Sequence, residues 1–355
     1  MLVLTVAVAI SSCSKDDAPP VVPPAPDAPY ANGFFILNEG WFGHEPGSVT
    51  FYGYGEDTVR SFAFGKENDG ATATTETGTL ENGKIIGDNL FLLTKVAGLI
   101  VVADPTTLKE KARITLDGSD FRDIALLDES TALVSTGDEL YTLDLLTFTL
   151  SAEPVYTGSN ITNLYVEDGY LLAAENGGMD IIDLKDYSSV NHFAGISEGF
   201  VATPDGSVYG AGADVLVSID AAGKDTTQIA LSAAINQNSF AYTAPSLVSS
   251  TKQNVVYYVA ADASFSPKEI YRYVKDDASS LSAPFITLPA GEFMYGSGIG
   301  YDPKKDQIVT SSITGYGEAD TNFLRFWDAS TGELINTVEF GHPYFPAKLV
   351  FYPEK

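Results

Sequence analysis

Residues 123–156 decide the fold of this chain, and they read DIALLDESTALVSTGDELYTLDLLTFTLSAEPVY. The pattern predicts four short strands, at 124–127, 131–135, 140–145 and 152–156, separated by Asp, Ser, Thr and Gly. Strands of about five residues between such turn residues are typical of an antiparallel meander. Because a single four-stranded sheet cannot bury both of its faces, this unit requires similar sheets on each side.

The rest of the chain supplies these neighbouring sheets. The pattern of short strands and polar turns recurs at 83–116, 163–194, 199–231, 246–288 and 298–340. A shorter unit precedes them, with only three predicted strands, at 33–38, 48–54 and 58–64. A repeat of roughly 40 residues is the spacing of propeller blades.

One predicted strand, at 348–352, is left over at the C-terminal end. If it becomes the innermost strand of the first sheet, it completes that sheet and closes the ring, which removes the exposed edge of an open array. The sequence therefore predicts an all-β fold, a seven-bladed β-propeller of four-stranded antiparallel blades, closed by the C-terminal strand joining the N-terminal blade. A β-sandwich or a solenoid would not explain the leftover strand.

The predicted loops differ between the two faces of this ring. Turns on one face are short and rich in Asp, Pro and Gly, which favour tight turns. Loops on the other face are longer and often aromatic, at 39–47, 65–82, 117–122, 232–245, 262–268, 289–297, 314–322 and 341–347. We expect the long-loop face to bind a ligand, since aromatic rings beside Asn, Gln and Ser suit flat or apolar ligands with hydrogen-bonding groups.

The N-terminal segment has the pattern of an exported lipoprotein. Residues 2–10 form a short apolar run, followed by Ser11, Ser12 and Cys13. This order predicts a signal peptide at 1–12 and lipidation of Cys13. Residues 13–30 then comprise the lipidated cysteine, an acidic tag at 14–17 and a Pro-rich tether, and 31–355 form one propeller domain. Cys13 is the sole cysteine, which excludes an intrachain disulfide and a cysteine-based metal site.

Charge excludes some partners. The chain has 20 Lys and Arg against 47 Asp and Glu, a net charge of −27. A field of this sign repels phosphate backbones and anionic lipid surfaces, so we expect no binding to nucleic acid.

The sequence gives little support for catalysis. Of the histidines, His192 falls on a predicted outer strand, while His44 and His342 share the long-loop face of the closing blade without an evident third ligand. No G-x-S-x-G nucleophile elbow occurs. The positions before the innermost strands are too mixed for a lactonase-like metal cage, namely Asn82, Asp123, Asn163, Glu198, Ala244, Ser297 and Pro346. We expect no metal site, no cofactor and no enzymatic activity.

The opening GFFILNEGWFGHEPGSVTFY, the repeated blades and the lipobox with its acidic tag resemble Bacteroidetes surface propeller lipoproteins, a group similar to the YncE/YVTN-type propellers. The resemblance implies an outer-membrane protein, lipid-anchored on the extracellular face. It also implies capture of corrinoids such as cobalamin (vitamin B12) and their transfer to a TonB-dependent transporter. Fold alone does not fix function.

A corrinoid has a broad, partly apolar ring fringed by amides, which aromatic and amide side chains at a propeller mouth would suit. The expected ligand-binding residues are Trp41, Phe42, His44, Phe121, Arg122, Asn160, Asn176, Phe240, Tyr242, Phe293, Tyr295, Tyr316 and Tyr344. Three alternatives remain at this point: a glycan-binding surface protein, an adhesive surface-layer-type propeller, and a hydrolase or lactonase.

Overall fold

The computed structural model of the protein describes residues 27–219, 226–237, 244–317 and 321–354. These residues form seven antiparallel sheets in a ring, with 3% of helix. The predicted seven-bladed β-propeller is therefore confirmed. No helix among the described residues is long and apolar enough to cross a membrane.

The strands follow the chain from blade to blade. In order they are β1 (Gly33–Asn38), β2 (Ser48–Gly53), β3 (Thr79–Ile86), β4 (Asn89–Lys95), β5 (Leu99–Ala103), β6 (Glu110–Thr115), β7 (Ile124–Leu126), β8 (Thr131–Ser135), β9 (Gly137–Asp144), β10 (Thr149–Leu150), β11 (Tyr156–Ile161), β12 (Asn163–Glu167), β13 (Tyr170–Glu175), β14 (Gly178–Asp183), β15 (Ser188–Ala194), β16 (Gly199–Ala202), β17 (Val208–Ala211), β18 (Val215–Ile219), β19 (Thr226–Ala230), β20 (Leu247–Ser249), β21 (Val255–Val259), β22 (Glu269–Val274), β23 (Ile286–Thr287), β24 (Phe293–Asp302), β25 (Gln307–Ile313), β26 (Asn322–Asp328), β27 (Leu334–Phe340) and β28 (Pro346–Phe351). One short α-helix, α1 (Ala63–Glu67), and one 3-10 turn, Ala278–Leu281, complete the described elements.

The last strand closes the ring. The sheet order β2-β1-β28 places β28 innermost in the first blade, called here the closing blade, where Phe35 pairs with Val350 and Ile36 with Leu349. The second to seventh blades are β3–β6, β7–β11, β12–β15, β16–β19, β20–β23 and β24–β27. The predicted clasp between the two ends of the chain is thus present.

The prediction of a strand at 58–64 was wrong. Only Arg60 pairs with the sheet, through an isolated bridge to Phe51, and helix α1 follows. Phe62 adopts a left-handed backbone with φ 55°, which ends an extended segment. The helix then buries Ala63 and Phe64 in the core.

In the stretch 123–156, three of the predicted strands correspond to β7, β8 and β9, but the fourth was misplaced. The outer edge of this blade is formed by β10 and by β11, and both pair with β9. The predicted strand at 152–156 falls mostly in the connection between β10 and β11.

The core lies between adjacent blades rather than within one of them. On β4, Leu90 and Leu92 pack toward the closing blade, while Phe91 and Leu93 pack toward the third blade. Side chains alternate between the two faces of a strand, and both faces of an inner strand are covered here. This packing explains why the inner strands are apolar almost throughout.

The two faces of the ring differ as the sequence predicts. Tight turns, such as the one in which Asp104 Oδ1 accepts hydrogen bonds from the backbone of Thr106 and Thr107, join the strands on one face. We call this the turn face. The long segments between second and third strands and between blades lie on the opposite face, which we call the loop face.

Candidate functional site

The loop 39–47 between β1 and β2 projects aromatic side chains from the closing blade. The backbone N–H of Trp41 donates to Glu45 O over 2.9 Å and tightens the loop. Gly40 has φ 83°, and a Cβ there would lie 2.6 Å from Glu45 O, so the tight turn requires glycine. Trp41 and Phe42 are 39% and 54% exposed as a result.

A continuous group of rings extends from this loop across the closing and seventh blades, and we call it the aromatic cluster. The ring of Tyr344 is its centre, with centroids 5.1 Å from Trp41, 4.9 Å from His342 and 5.6 Å from Phe345. The other rings in contact are His44 on Trp41, Phe62 on His342, Tyr295 on Phe345, and Tyr316 on both Tyr295 and Phe293. Six of the residues expected to bind ligand therefore meet in one place: Trp41, His44, Phe293, Tyr295, Tyr316 and Tyr344.

A cavity of about 450 Å³ adjoins the cluster between the loop 39–47 and helix α1. Its lining is mainly apolar and includes Phe62, Phe64 and Val49. Glu45 borders both the cavity and the cluster, because its Oε2 lies 2.6 Å from Nε2 of His342. The volume falls in the range of small-molecule sites.

Two buried carboxyl groups lie behind the cluster, and we call Glu39 and Glu81 the acid pair. Glu39 is joined to the cluster, since the Tyr295 hydroxyl donates to its carboxylate and its backbone N–H donates to Phe345 O over 2.8 Å. Glu81 Oε1 accepts from Thr79 Oγ1 at 2.8 Å and lies 3.5 Å from Lys95 Nζ.

Burial sets the protonation of the acid pair. It raises the pKa of Glu39, against the Tyr295 hydrogen bond and the charge of Lys95. Burial, followed by the negative charge of Glu39, raises the pKa of Glu81 to about 8. Burial also raises the pKa of Tyr295, and Glu39 adds to that shift. Near neutral pH the pair therefore retains a proton, which limits repulsion between the two carboxyl groups.

We expect this proton to make stability depend on pH. When folding raises the pKa of a carboxyl group, its contribution to stability is complete at pH values below the pKa of the unfolded chain. For Glu81 this contribution is lost as the pH rises toward about 8. Glu81→Gln should remove that loss. The free energy of unfolding of the variant, minus that of the wild type, should therefore be higher at pH 8 than at pH 5 by on the order of 2 kcal/mol. Urea unfolding across this pH range measures the effect.

The matched control is Glu129→Gln, at an exposed turn position. Its profile should parallel that of the wild-type chain. If the Glu81→Gln profile also runs parallel to the wild type, the acid pair holds no proton in the folded state.

Not every expected ligand-binding residue lies at the cluster. Phe121 was assigned to the mouth wrongly, because its side chain is 0% exposed and packs with Phe91 and Ile124 in the core. Phe293 is also buried, at 8%, and reaches the cluster only through Tyr316.

The polar residues expected to bind ligand lie elsewhere on the loop face. Arg122, between the second and third blades, has its Nη2 3.3 Å from Asp120 Oδ2. Asn160 lies in β11 of the third blade, and Asn176 lies between β13 and β14 of the fourth blade, about half a turn around the ring from the cluster. Asn176 N–H donates to Ser159 O. Cys13, Phe240 and Tyr242 fall outside the described residues.

Sequence reasoning missed several neighbours of the cluster. Phe62 was placed in a strand, and Phe345 and the acid pair were not considered. Position in the chain could have indicated that the acid pair lies together. Glu39 follows β1, Glu81 lies near the loop-face start of β3, and β3 contacts β1. Among the described residues, no group of three or more His, Cys, Asp and Glu side chains could hold a metal ion.

One protein-family model matches residues 32–352, and its description is "Domain of unknown function (DUF5074)". No curated protein is similar in sequence to this chain.

Solved structures share the fold at low identity. A quinonprotein alcohol dehydrogenase-like protein from Bacteroides thetaiotaomicron is 17% identical with a TM-score of 0.72, over 91% of this chain and 78% of that one. The extracellular domain of a putative one component system from B. thetaiotaomicron is 9% identical, with a TM-score of 0.53 over 74% of this chain but 34% of that chain. Dihydro-heme d1 dehydrogenase NirN is 11% identical, with a TM-score of 0.52 over 88% and 74% of the two chains. These likenesses show the fold alone.

Proposed function

We propose that this chain, which belongs to the family described as a domain of unknown function (DUF5074), captures a corrinoid on the loop face without chemically changing it. The observation that carries the proposal is the aromatic cluster, in which Trp41, Tyr344 and Tyr295 belong to one continuous set of rings. Rings of this kind cover a broad, partly apolar ligand at low entropic cost, because they are already packed together.

The cavity supports the proposal by its place and lining. An edge of the macrocycle would enter beside Phe62, while the exposed rings of Trp41 and Phe42 would cover its face. The propeller fold is also that of NirN, whose structure was solved "in complex with DHE". The resemblance of the first β-strands to corrinoid-capturing surface propellers points to the same ligand class.

The geometry of the N-terminal end suits display on a membrane surface. Tyr30 N–H donates to Thr106 O over 2.9 Å, and the Tyr352 hydroxyl donates to Tyr30 O over 2.9 Å. Thr106 lies in a turn between β5 and β6, so the chain enters the ring at the turn face. A lipid anchor at Cys13 would then leave the aromatic cluster directed away from the outer membrane, toward incoming ligand. Hand-over to a TonB-dependent transporter in the same membrane would then require the Pro-rich tether to let the ring turn its loop face toward the transporter.

Calorimetric titration with cyanocobalamin, and with cobinamide as a second ligand, tests the proposal. We expect saturable one-to-one binding of submicromolar strength or better. Comparison of the two ligands shows whether the nucleotide loop and lower base contribute. Absence of heat at high micromolar ligand would exclude corrinoid capture.

Glycan binding is the second candidate function. The exposed rings of Trp41, Phe42 and Tyr316 would also stack on sugar faces. Retardation of the chain in a polysaccharide gel, together with no response to corrinoids, would favour this function.

A further inference from the structure

A second group of charged side chains lies on and beside the innermost strands of the closing, second and third blades. Lys84 Nζ is 2.7 Å from Asp123 Oδ1, and the Asp123 side chain is completely buried. Asp123 also accepts hydrogen bonds from Asn82 Nδ2 at 3.1 Å and from Asn163 Nδ2 at 2.8 Å. The backbone N–H groups of Ile124 in β7 and Leu164 in β12 also donate hydrogen bonds to this carboxylate, at 2.8 and 2.9 Å. This carboxylate therefore has little capacity for another cation.

Lys348 lies beside this group on the innermost strand β28. Its neighbour Leu349 packs toward the seventh blade, whereas Val350 packs toward the second blade. Alternation along the strand directs Lys348 to the same side as Val350, where Lys84 of β3 lies. In the part of the chain that the structure describes, the Lys348 ammonium forms no hydrogen bond and no ion pair within 4.0 Å.

The charge around Lys348 is unbalanced. Burial, followed by repulsion from Lys84, lowers the pKa of Lys348 to about 8, while Asp123 acts in the opposite direction. Two ammonium groups thus face one carboxylate, in a chain whose net charge is −27. Lys348 is half-buried, and a partly desolvated ammonium without a counter-ion is unfavourable, which an anion beside it would offset.

We propose that Lys348 and Lys84 form an anion-binding site between the innermost strands of the closing and second blades, and that its ligand is a carboxylate or phosphate group. Ammonium groups form strong, charge-assisted hydrogen bonds with both anions. The low effective dielectric between strand edges strengthens this attraction relative to a surface site. The site is separate from the aromatic cluster, so it does not depend on which ligand the cluster binds.

Calorimetric titration of the full chain with inorganic phosphate, and separately with acetate, tests the site at pH 7. Lys348→Met should weaken phosphate binding at least about tenfold, the scale of a lost hydrogen bond to a charged group. Lys348→Arg keeps the charge and should retain binding. Lys185→Met, at an exposed turn, is the matched control and should bind like the wild type.

A measurement on the wild-type chain makes the test independent of variant folding. The chain is labelled with 13C-lysine, and the Lys348 signal is assigned by its loss in Lys348→Arg. Phosphate should raise the pKa of Lys348 in this titration, because a bound anion stabilises the ammonium form. An unchanged pKa with both anions, or equal affinity of Lys348→Met and wild type for the anion that binds, would overturn the proposal. Response to acetate alone would assign a carboxylate ligand.

Discussion

Replacing Trp41 and Tyr344 together with alanine is expected to weaken cyanocobalamin binding by about a thousandfold, on the scale of two aromatic hot spots. The two rings contact each other at 5.1 Å, and Tyr344 also joins the His342 and Phe345 rings. Their removal would therefore break the cluster at its centre as well as delete contact area. Each single variant should show a smaller loss. Calorimetric titration measures all three variants.

Leu146→Ala is the matched control for loss of an exposed apolar side chain. Leu146 is 81% exposed in the turn between β9 and β10, on the opposite face of the ring. Its affinity for the ligand should equal that of the wild type, and all variants should retain the β-sheet circular dichroism spectrum. Unchanged affinity in the double variant would place the ligand outside the aromatic cluster.

A chain that ends at Phe345, and so lacks β28, is expected to lose its cooperative fold. β28 buries Leu349 and Val350 against two neighbouring blades, and deletion of such side chains costs about 2–5 kcal/mol each. The truncation also exposes the pairing edge of β1. Since whole domains are stable by about 5–15 kcal/mol, this loss should abolish the single thermal unfolding transition.

A chain that ends at Tyr352 provides the control for shortening. It keeps β28 and the Tyr352 hydrogen bonds to Tyr30 O and Pro105 O, and it loses the exposed ion pair between Lys252 and Glu354. An exposed ion pair contributes about 0–1 kcal/mol, so the melting temperature of the chain that ends at Tyr352 should stay close to that of the wild type. If the chain that ends at Phe345 unfolds in a cooperative transition with a midpoint similar to that of the wild type, the clasp is dispensable.

The fold was predictable because each blade repeats a local pattern. Runs such as β4, with alternate side chains buried on both faces, and turns such as Asp104–Thr107 are both legible in a single sequence. The clasp was predictable for a different reason, since counting strands left one over. The error at 58–64 arose because a left-handed Phe62 and a helical turn are compatible with the same apolar residues.

The candidate site was only partly predictable, because its parts come from distant positions in the chain. Phe121 and Tyr344 are both loop aromatics in the sequence, yet one fills the core and the other the centre of the cluster. Loop position does not determine whether a ring points inward. Likewise, the acid pair joins the end of β1 to β3 of the next blade, and its raised pKa values come from burial, which one sequence does not report.

The clasp also has a consequence for the order of biosynthesis. Strands β1 and β2 leave the ribosome first, but their innermost partner, β28, is the last strand to be synthesised. The second to seventh blades contain only strands that are consecutive in the chain, so each can pair as it emerges. The closing blade can be completed only after β28 has been synthesised. Its completion also requires contact between strands far apart in the sequence, and such contacts form slowly during folding. The ring therefore stays open until β28 has been synthesised, so a partly translated chain can hold paired blades but not the closed ring.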